Sequence, residues 1–156
     1  MAIPAVERIV GLRLLGAHEW LYEHSGGLWG HRFGKLKMLL LRTRGRKTGR
    51  TRTSALLYER DGDAFVVVGS KGGSDSPPAW LLNLQADPEV EVQIGTRRLP
   101  ARARVATKSE RSRLWPEMTR MWPQYARYQQ RTSREIPLVL LLPSSATASR
   151  RRPGRR

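Results

Sequence analysis

Residues 41–53 read Leu41-Arg42-Thr43-Arg44-Gly45-Arg46-Lys47-Thr48-Gly49-Arg50-Thr51-Arg52-Thr53. This stretch holds six cationic side chains, four threonines and two glycines. Apolar runs stand on both sides of it, Met38–Leu41 before and Ala55–Tyr58 after. The pattern therefore predicts a strand, a basic loop (residues 44–52) and a second strand.

The two glycines of the basic loop accept backbone angles that other residues avoid, and they let N–H groups approach a ligand closely. The loop is either a cradle for an anion or a solvated hairpin loop. It is not a Walker loop, because Arg46 stands where that motif needs a glycine before the lysine. The composition of the loop thus indicates anion binding without deciding it.

Outward from this loop, short apolar or alternating runs predict strands along most of the chain. The predicted strands are residues 38–42, 54–59, 64–69, 90–94, 97–106 and 137–142, and Asp61-Gly62 is a hairpin signal.

Three helices are predicted as well: residues 79–86, a helix opened by a Thr107…Glu110 capping box and running to Met121, and residues 123–131. Pro116 is predicted to kink or split the second of them. Strands joined by short turns, with few helices, favour a mainly β fold: an antiparallel β-barrel with appended helices rather than a parallel βαβ sheet.

Both ends of the chain differ from this central pattern. Residues 3–22 have apolar positions three and four apart and predict a helix, which either covers the domain or lies on a membrane surface. The expected organisation is an N-terminal helix and connector (1–35), one barrel domain (36–143) and a disordered arginine-rich tail (144–156).

Composition narrows the classes of function. The chain has no cysteine, which excludes disulfides, thiolate nucleophiles and zinc–sulfur sites and is compatible with the cytoplasm. We expect no transmembrane helix and no signal peptide. The net charge of +16 predicts an anionic partner: nucleic acid, anionic lipid or a polyanionic small molecule.

Two further groups of residues are candidates for chemistry. Residues 70–78 (the glycine loop) follow a strong strand and precede a helix, so backbone N–H groups near Gly72 and Gly73 would favour an anion or a ring carbonyl. Trp122, Tyr125 and Tyr128 are three residues apart, and either pack in the core or form a stacking wall with phenol donors.

Metal and acid–base sites have little support in the sequence. The three histidines, His18, His24 and His31, precede the predicted barrel without an accompanying carboxylate cluster. We therefore expect no metal site, and for an enzyme we expect a bound cofactor to carry the chemistry.

Taken together in this order, the motifs resemble those of the deazaflavin-dependent nitroreductase family of actinobacteria. The matching segments are 39–58, Ser70-Lys71-Gly72-Gly73, 78–84, Asp87-Pro88 and 125–137. The resemblance implies a split β-barrel of the flavin-reductase kind and the coenzyme F420, an 8-hydroxy-5-deazaflavin. It further implies hydride transfer from the reduced coenzyme to a quinone, an enone or a nitroaromatic acceptor.

The resemblance also implies roles for individual residues. Residues matching the segment that holds the coenzyme's phosphate and oligoglutamate tail are Arg46, Lys47, Thr48, Gly49 and Arg52. Residues matching the segment along the deazaflavin ring and its groove are Ser70, Lys71, Gly72, Gly73, Trp80 and Asn83. Tyr125 and Tyr128 match the substrate side, and with Ser70 they are the candidates to polarise the acceptor or deliver a proton. Trp122 stands where a tyrosine is common in the family.

Other interpretations stay open from the sequence. The same barrel serves an FMN-dependent reductase or a non-catalytic coenzyme or haem carrier. The net charge and the tail favour a nucleic-acid-binding protein, although the resemblance makes this partner the weaker alternative. A quinone substrate would fit a cytoplasmic protein in peripheral contact with the inner face of the membrane through the N-terminal helix.

Overall fold

The computed structural model describes residues 32–33 and 36–144, and it forms one antiparallel sheet with helices against it. The strands are β1 (Arg32–Phe33), β2 (Leu36–Arg44), β3 (Thr51–Leu57), β4 (Glu59–Asp61), β5 (Ala64–Val68), β6 (Glu89–Ile94), β7 (Arg97–Val105) and β8 (Leu138–Pro143). The helices are α1 (Ala79–Ala86), α2 (Lys108–Met121) and α3 (Gln124–Gln130), with a 3-10 turn at Lys71–Gly73. The predicted fold class, antiparallel and mainly β with appended helices, is confirmed.

The strand order is β1-β2-β6-β7-β8-β5-β4, and β3 pairs with β2 beside this path. The predicted second strand is two strands, because the chain breaks at Tyr58, whose N–H donates to the carbonyl of Lys37 (3.1 Å). The predicted hairpin at Asp61-Gly62 is present, with Asp61 paired to Ala64.

Two apolar cores lie on opposite faces of β5 and β8. Phe65, Val67, Val139 and Leu141 point into the barrel with Trp80, Leu81 and Leu84 of α1. The alternate residues, Val66 and Leu138 among them, pack against Leu114 and Met118 of α2 and Tyr125 of α3. Burial on both faces explains why these two strands read as continuous apolar runs in the sequence.

The helices agree with their sequence signals except at two points. The capping box is present, since Thr107 Oγ1 accepts the N–H of Glu110 (3.3 Å) and the Glu110 carboxylate accepts the N–H of Thr107 (2.8 Å). Pro116 does not split α2, which runs through it from Lys108 to Met121. Trp122 is not in α3: it ends α2 in an extended conformation, because a residue before a proline, here Pro123, disfavours helical angles.

The expected N-terminal helix, the connector 1–35 except for β1, and the tail from residue 145 lie outside the described residues. Within the described part of the chain, no helix has the length and apolar character needed to cross a bilayer.

The capping box gives a testable pH dependence of stability. Hydrogen bonds from Arg104, and then from the Thr107 N–H, lower the pKa of Glu110 from 4.5 to about 2. Because the folded pKa is lowered, this stabilisation is complete above pH 4.5 and is lost as pH falls toward about 2. We expect the Tm of Glu110→Gln, measured by circular dichroism, to depend less on pH in this window than the wild-type Tm. Glu117→Gln, the same charge change on the same helix, should keep the wild-type slope; equal slopes in all three proteins would contradict the assignment.

Candidate functional site

The basic loop is a tight hairpin tip built on its two glycines. The β2–β3 ladder continues to the pair Arg44 and Thr51, beyond the predicted strand ends. The Gly45 N–H then donates to the carbonyl of Arg50 (2.8 Å), and the Gly49 N–H donates to the carbonyl of Gly45 (2.7 Å). Gly49 has φ +69°, which a side chain would disfavour. The glycines therefore close the ladder rather than break it, and the loop side chains project from a short, ordered turn.

The cations of the basic loop lack acidic partners. Among residues 36–144, no carboxylate lies within 4.0 Å of the five cations of this loop, and all five side chains are exposed: Arg44, Arg46, Lys47, Arg50 and Arg52. The arginine-rich face of β7 is different, because Arg98, Arg102 and Arg104 pair with glutamates. Five unpaired cations thus lie within nine residues at the tip of β2–β3, and this density of positive charge suits a polyanion.

Asn83 of α1 lies beneath the basic loop and fixes it to the barrel. Its Oδ1 accepts from the backbone N–H and the guanidinium of Arg46 (3.2 Å each), and its Nδ2 donates to Thr43 Oγ1 (3.2 Å). Asn83 and Thr43 are 3% and 2% exposed. Asn83 is therefore a buried residue that fixes the position of the basic loop. Trp80, one turn earlier in α1, is buried in the barrel core.

The glycine loop follows β5 and turns through a run of left-handed residues. Lys71, Gly72 and Gly73 have φ of 46°, 63° and 79°. A Cβ on Gly73 would stand 2.6 Å from the carbonyl oxygen of Tyr128, whereas a Cβ on Gly72 would meet nothing within 4 Å. Gly73 is thus required by the direct packing of this loop on the backbone of α3.

The segment after α3 holds the glycine loop with side-chain hydrogen bonds. Arg134 donates to the carbonyls of Gly69, Ser70 and Ser74, and Thr132 Oγ1 donates to Asp75 Oδ1 (2.8 Å). Sequence analysis missed both residues, because they stand in a polar stretch without periodicity and their partners are 57 to 65 residues away. No local signal in the sequence singles out either residue.

The aromatic set is divided by the structure. Tyr125 and Tyr128 share a face of α3, with ring centroids 6.2 Å apart at 69°. Trp122 precedes the helix and is half-buried against the core beneath α2 and α3. Tyr125 and Tyr128 therefore stay together on α3, whose backbone at Tyr128 packs against Gly73 of the glycine loop, and Trp122 is set back at the α2–α3 junction.

Two buried hydroxyls have no hydrogen-bond partner among the described residues. The Tyr125 phenol and Ser70 Oγ belong to side chains that are 6% and 8% exposed, and neither bonds to any group in residues 36–144. Leaving a buried hydroxyl unpaired costs about 1–3 kcal/mol. Burial, and then the neighbouring Tyr128, raises the pKa of Tyr125 above its ordinary value, so its hydroxyl stays protonated and able to donate.

These features fit a ligand with an anionic tail and a flat polar ring. The basic loop matches the tail in charge, and α1 joins it to the glycine loop, since α1 begins after Pro78 and carries Asn83. The unpaired hydroxyls provide donors beside that loop. Within residues 36–144, no three His, Cys, Asp or Glu side chains are grouped so that they could hold a metal ion. The three histidines lie outside the described residues.

Comparisons with known proteins agree with this fit. A family model described as F420H(2)-dependent quinone reductase matches residues 14–143. The F420H(2)-dependent quinone reductase Rv1261c of Mycobacterium tuberculosis is 42% identical over 140 residues, which cover 87% of this chain and 94% of the relative. A solved F420-H2 dependent reductase (FDR-A) is 35% identical with a TM-score of 0.62, covering 67% of this chain and 92% of its own. A solved chain described as a domain-swapped dimer is 30% identical with a TM-score of 0.64, covering 88% and 99%.

The packing of the glycine loop on α3 can be tested with a matched glycine pair. Both Gly72→Ala and Gly73→Ala place a side chain at positive φ, which costs about 1–2 kcal/mol. Gly73→Ala must also displace the Tyr128 backbone, which we expect to add about 1–3 kcal/mol. Urea unfolding of the two variants measures the difference. Equal destabilisation would contradict the close contact between the loop and α3.

Proposed function

Because the chain belongs to the F420H(2)-dependent quinone reductase family, we propose that it transfers a hydride from reduced coenzyme F420 to a quinone-type acceptor. Enones and nitroaromatics are acceptors of the same electrophilic class. When bound, the coenzyme supplies the hydride chemistry itself. The chain's own residues then bind the coenzyme, orient the two reactants, exclude water and supply polar contacts to the acceptor.

One observation carries this proposal: five exposed cations without an acidic partner lie within the nine residues of the basic loop, while Arg98, Arg102 and Arg104 of β7 are paired with glutamates. Lys47, Arg46 and Arg52 would hold the phosphate and the glutamate carboxylates of the coenzyme tail. Arginine suits these groups because its planar fork pairs with two oxygens at once. Thr48 and Gly49 complete this turn, and Asn83 keeps it in place from below.

The glycine loop would lie along the deazaflavin ring. Ser70 and Gly73 are buried, whereas Lys71 and Gly72 are exposed, so the loop offers a backbone edge to a flat ligand. Lys71 Nζ bonds to Ser76 Oγ (3.0 Å), which holds this cation over the loop. Trp80 is buried in the barrel core two residues after the loop and would anchor that end of it.

Tyr125 and Tyr128 would act on the acceptor in different ways. The protonated Tyr125 hydroxyl, whose pKa burial raises, would donate a hydrogen bond that polarises the acceptor oxygen. Tyr128 is half-buried and so retains contact with water, which allows its hydroxyl to pass a proton to the acceptor and recover it. Ser70 Oγ is a second donor beside the ring. Trp122 packs on the same apolar cluster as the two tyrosines and would line the acceptor side from behind them.

Nucleic-acid binding has less support than coenzyme binding. The β7 face that would make a basic stripe is compensated by Glu89, Glu91 and Glu110. A resident FMN or a non-catalytic carrier on the same barrel is the alternative to the F420 enzyme. Retention of flavin on the purified protein, or binding without turnover, would distinguish these alternatives.

Removing charge from the basic loop should weaken coenzyme binding. We expect Lys47→Ala with Arg52→Ala to raise the Kd for oxidised F420, measured by fluorescence titration, at least tenfold. The physical reason is the loss of two charge-assisted contacts worth about 1.5 kcal/mol or more each. Raising the salt concentration should reduce the difference in Kd between this variant and the wild type.

The matched control removes the same two charges elsewhere. Arg97→Ala with Lys108→Ala takes one arginine and one lysine from exposed positions, neither within 4.0 Å of a carboxylate among residues 36–144. This control should bind F420 as the wild type does. An equal loss in both double variants would show that net charge, and not the basic loop, determines the affinity.

Substitution of the two tyrosines should affect kcat and its pH dependence in different ways. We expect Tyr125→Phe to lower kcat severalfold without changing the shape of its pH profile, because the raised pKa keeps this phenol protonated throughout the neutral range. Tyr128→Phe should lower kcat more and change the solvent deuterium isotope effect, since it would transfer a proton. Steady-state oxidation of reduced F420 by a soluble quinone measures both. Wild-type turnover in Tyr128→Phe and in Ser70→Ala would refute the assignment.

A further inference from the structure

All three guanidinium nitrogens of Arg134 donate to backbone carbonyls in the glycine loop or directly before it. Nε donates to the carbonyl of Ser74 (2.7 Å), Nη1 to that of Gly69 (3.1 Å), and Nη2 to those of Gly69 (3.2 Å) and Ser70 (2.9 Å). No carboxylate among residues 36–144 lies within 4.0 Å of this half-buried cation. A full positive charge is therefore applied to three neutral peptide groups.

The geometry of the peptide bond determines where the other ends of these groups point. No peptide in the described chain is cis, and in a trans peptide the C=O and N–H bonds point in opposite directions. Because the carbonyls of Gly69 and Ser70 face Arg134, the N–H groups of Ser70 and Lys71 face away from it. Among the described residues no group accepts from these two N–H groups, whereas those of Gly69, Gly73 and Ser74 are all bonded.

A cation at the carbonyl side also strengthens the donors on the opposite side. Hydrogen bonds polarise one another along a chain, so a peptide whose oxygen is held by guanidinium offers a more positive N–H. Two adjacent, unbonded N–H groups form a concave site for a carbonyl oxygen or an anion. Lys71 has φ 46°, a strained conformation for a residue with a side chain, and it lies between the two loop carbonyls that Arg134 holds, those of Ser70 and Ser74.

We propose that Arg134 is a positioning residue of the reductase. It turns the Ser70 and Lys71 N–H groups toward the coenzyme and polarises them, so that they hold a carbonyl oxygen of the deazaflavin ring, which shares the negative charge of the ionised ring hydroxyl by conjugation. This inference rests on the proposed function for the identity of the ring. Arg134 itself touches only the protein, and it acts through the loop.

The test combines affinity, turnover and a spectroscopic signature. In Arg134→Lys the charge stays but the fork is lost, and in Arg134→Gln the charge is removed as well. We expect the Kd for oxidised F420 to rise about tenfold in Arg134→Lys and further in Arg134→Gln, with kcat lowered in both. The pH at which the bound ring hydroxyl ionises, followed by absorbance, should move upward in the same order, because the ring anion loses stabilisation.

Arg127→Gln is the matched control. It removes the same charge from an exposed position on α3, and we expect the wild-type affinity and the wild-type ionisation pH of the bound ring. Adding millimolar guanidinium to Arg134→Ala should restore part of the affinity, whereas ethylammonium should not. If Arg134→Gln does not fold, as judged by circular dichroism, Arg134→Lys decides the matter.

The outcomes separate this inference from the proposed function. If the wild type neither binds F420 nor oxidises its reduced form, the proposed function fails. If the wild type does both, and the Arg134 variants keep the wild-type affinity and ionisation pH of the bound ring, the inference is overturned while the proposed function stands.

Discussion

Burial of both faces of β5 and β8 is the constraint on which the rest of the molecule depends. Residues 65, 67, 139 and 141 fill the barrel, and their neighbours on the opposite face anchor α2 and α3. The glycine loop leaves the end of β5, and the segment after α3 returns directly into β8. Because these two strands are paired, with Val68 opposite Leu138, the loop and the helix bearing Tyr125 and Tyr128 are brought together.

The two halves of the candidate site are joined by a short helix and not by the sheet. α1 begins just after the glycine loop, and it buries Trp80, Leu81 and Leu84 in the barrel while presenting Asn83 to Arg46. The apolar side of α1 thus gives the basic loop a fixed position relative to the glycine loop. A ligand long enough to contact both loops meets a preorganised pair, which lowers the entropic cost of binding.

Local signals predicted most of the fold and part of the site. The capping box, the bounds of α1 and the apolar runs of β5 and β8 are properties of neighbouring residues, so they could be derived without knowing the tertiary structure. Trp122 was misplaced because the restriction imposed by Pro123 outweighed helical spacing. Arg134 could not be predicted, since it bonds to backbone oxygens some 60 residues away, and any residue type presents such oxygens.

The uneven pairing of charge should also affect how fast a polyanionic ligand associates with the protein. On the described surface, carboxylates neutralise Arg98, Arg102 and Arg104 of β7 locally, so their fields cancel over a short distance. The basic loop is not neutralised, and its potential extends into solvent to about the Debye length, roughly 8 Å at physiological ionic strength. An approaching polyanion would therefore be guided toward the tip of β2–β3 first and would reach the glycine loop afterwards. Its encounter rate should fall as the salt concentration rises.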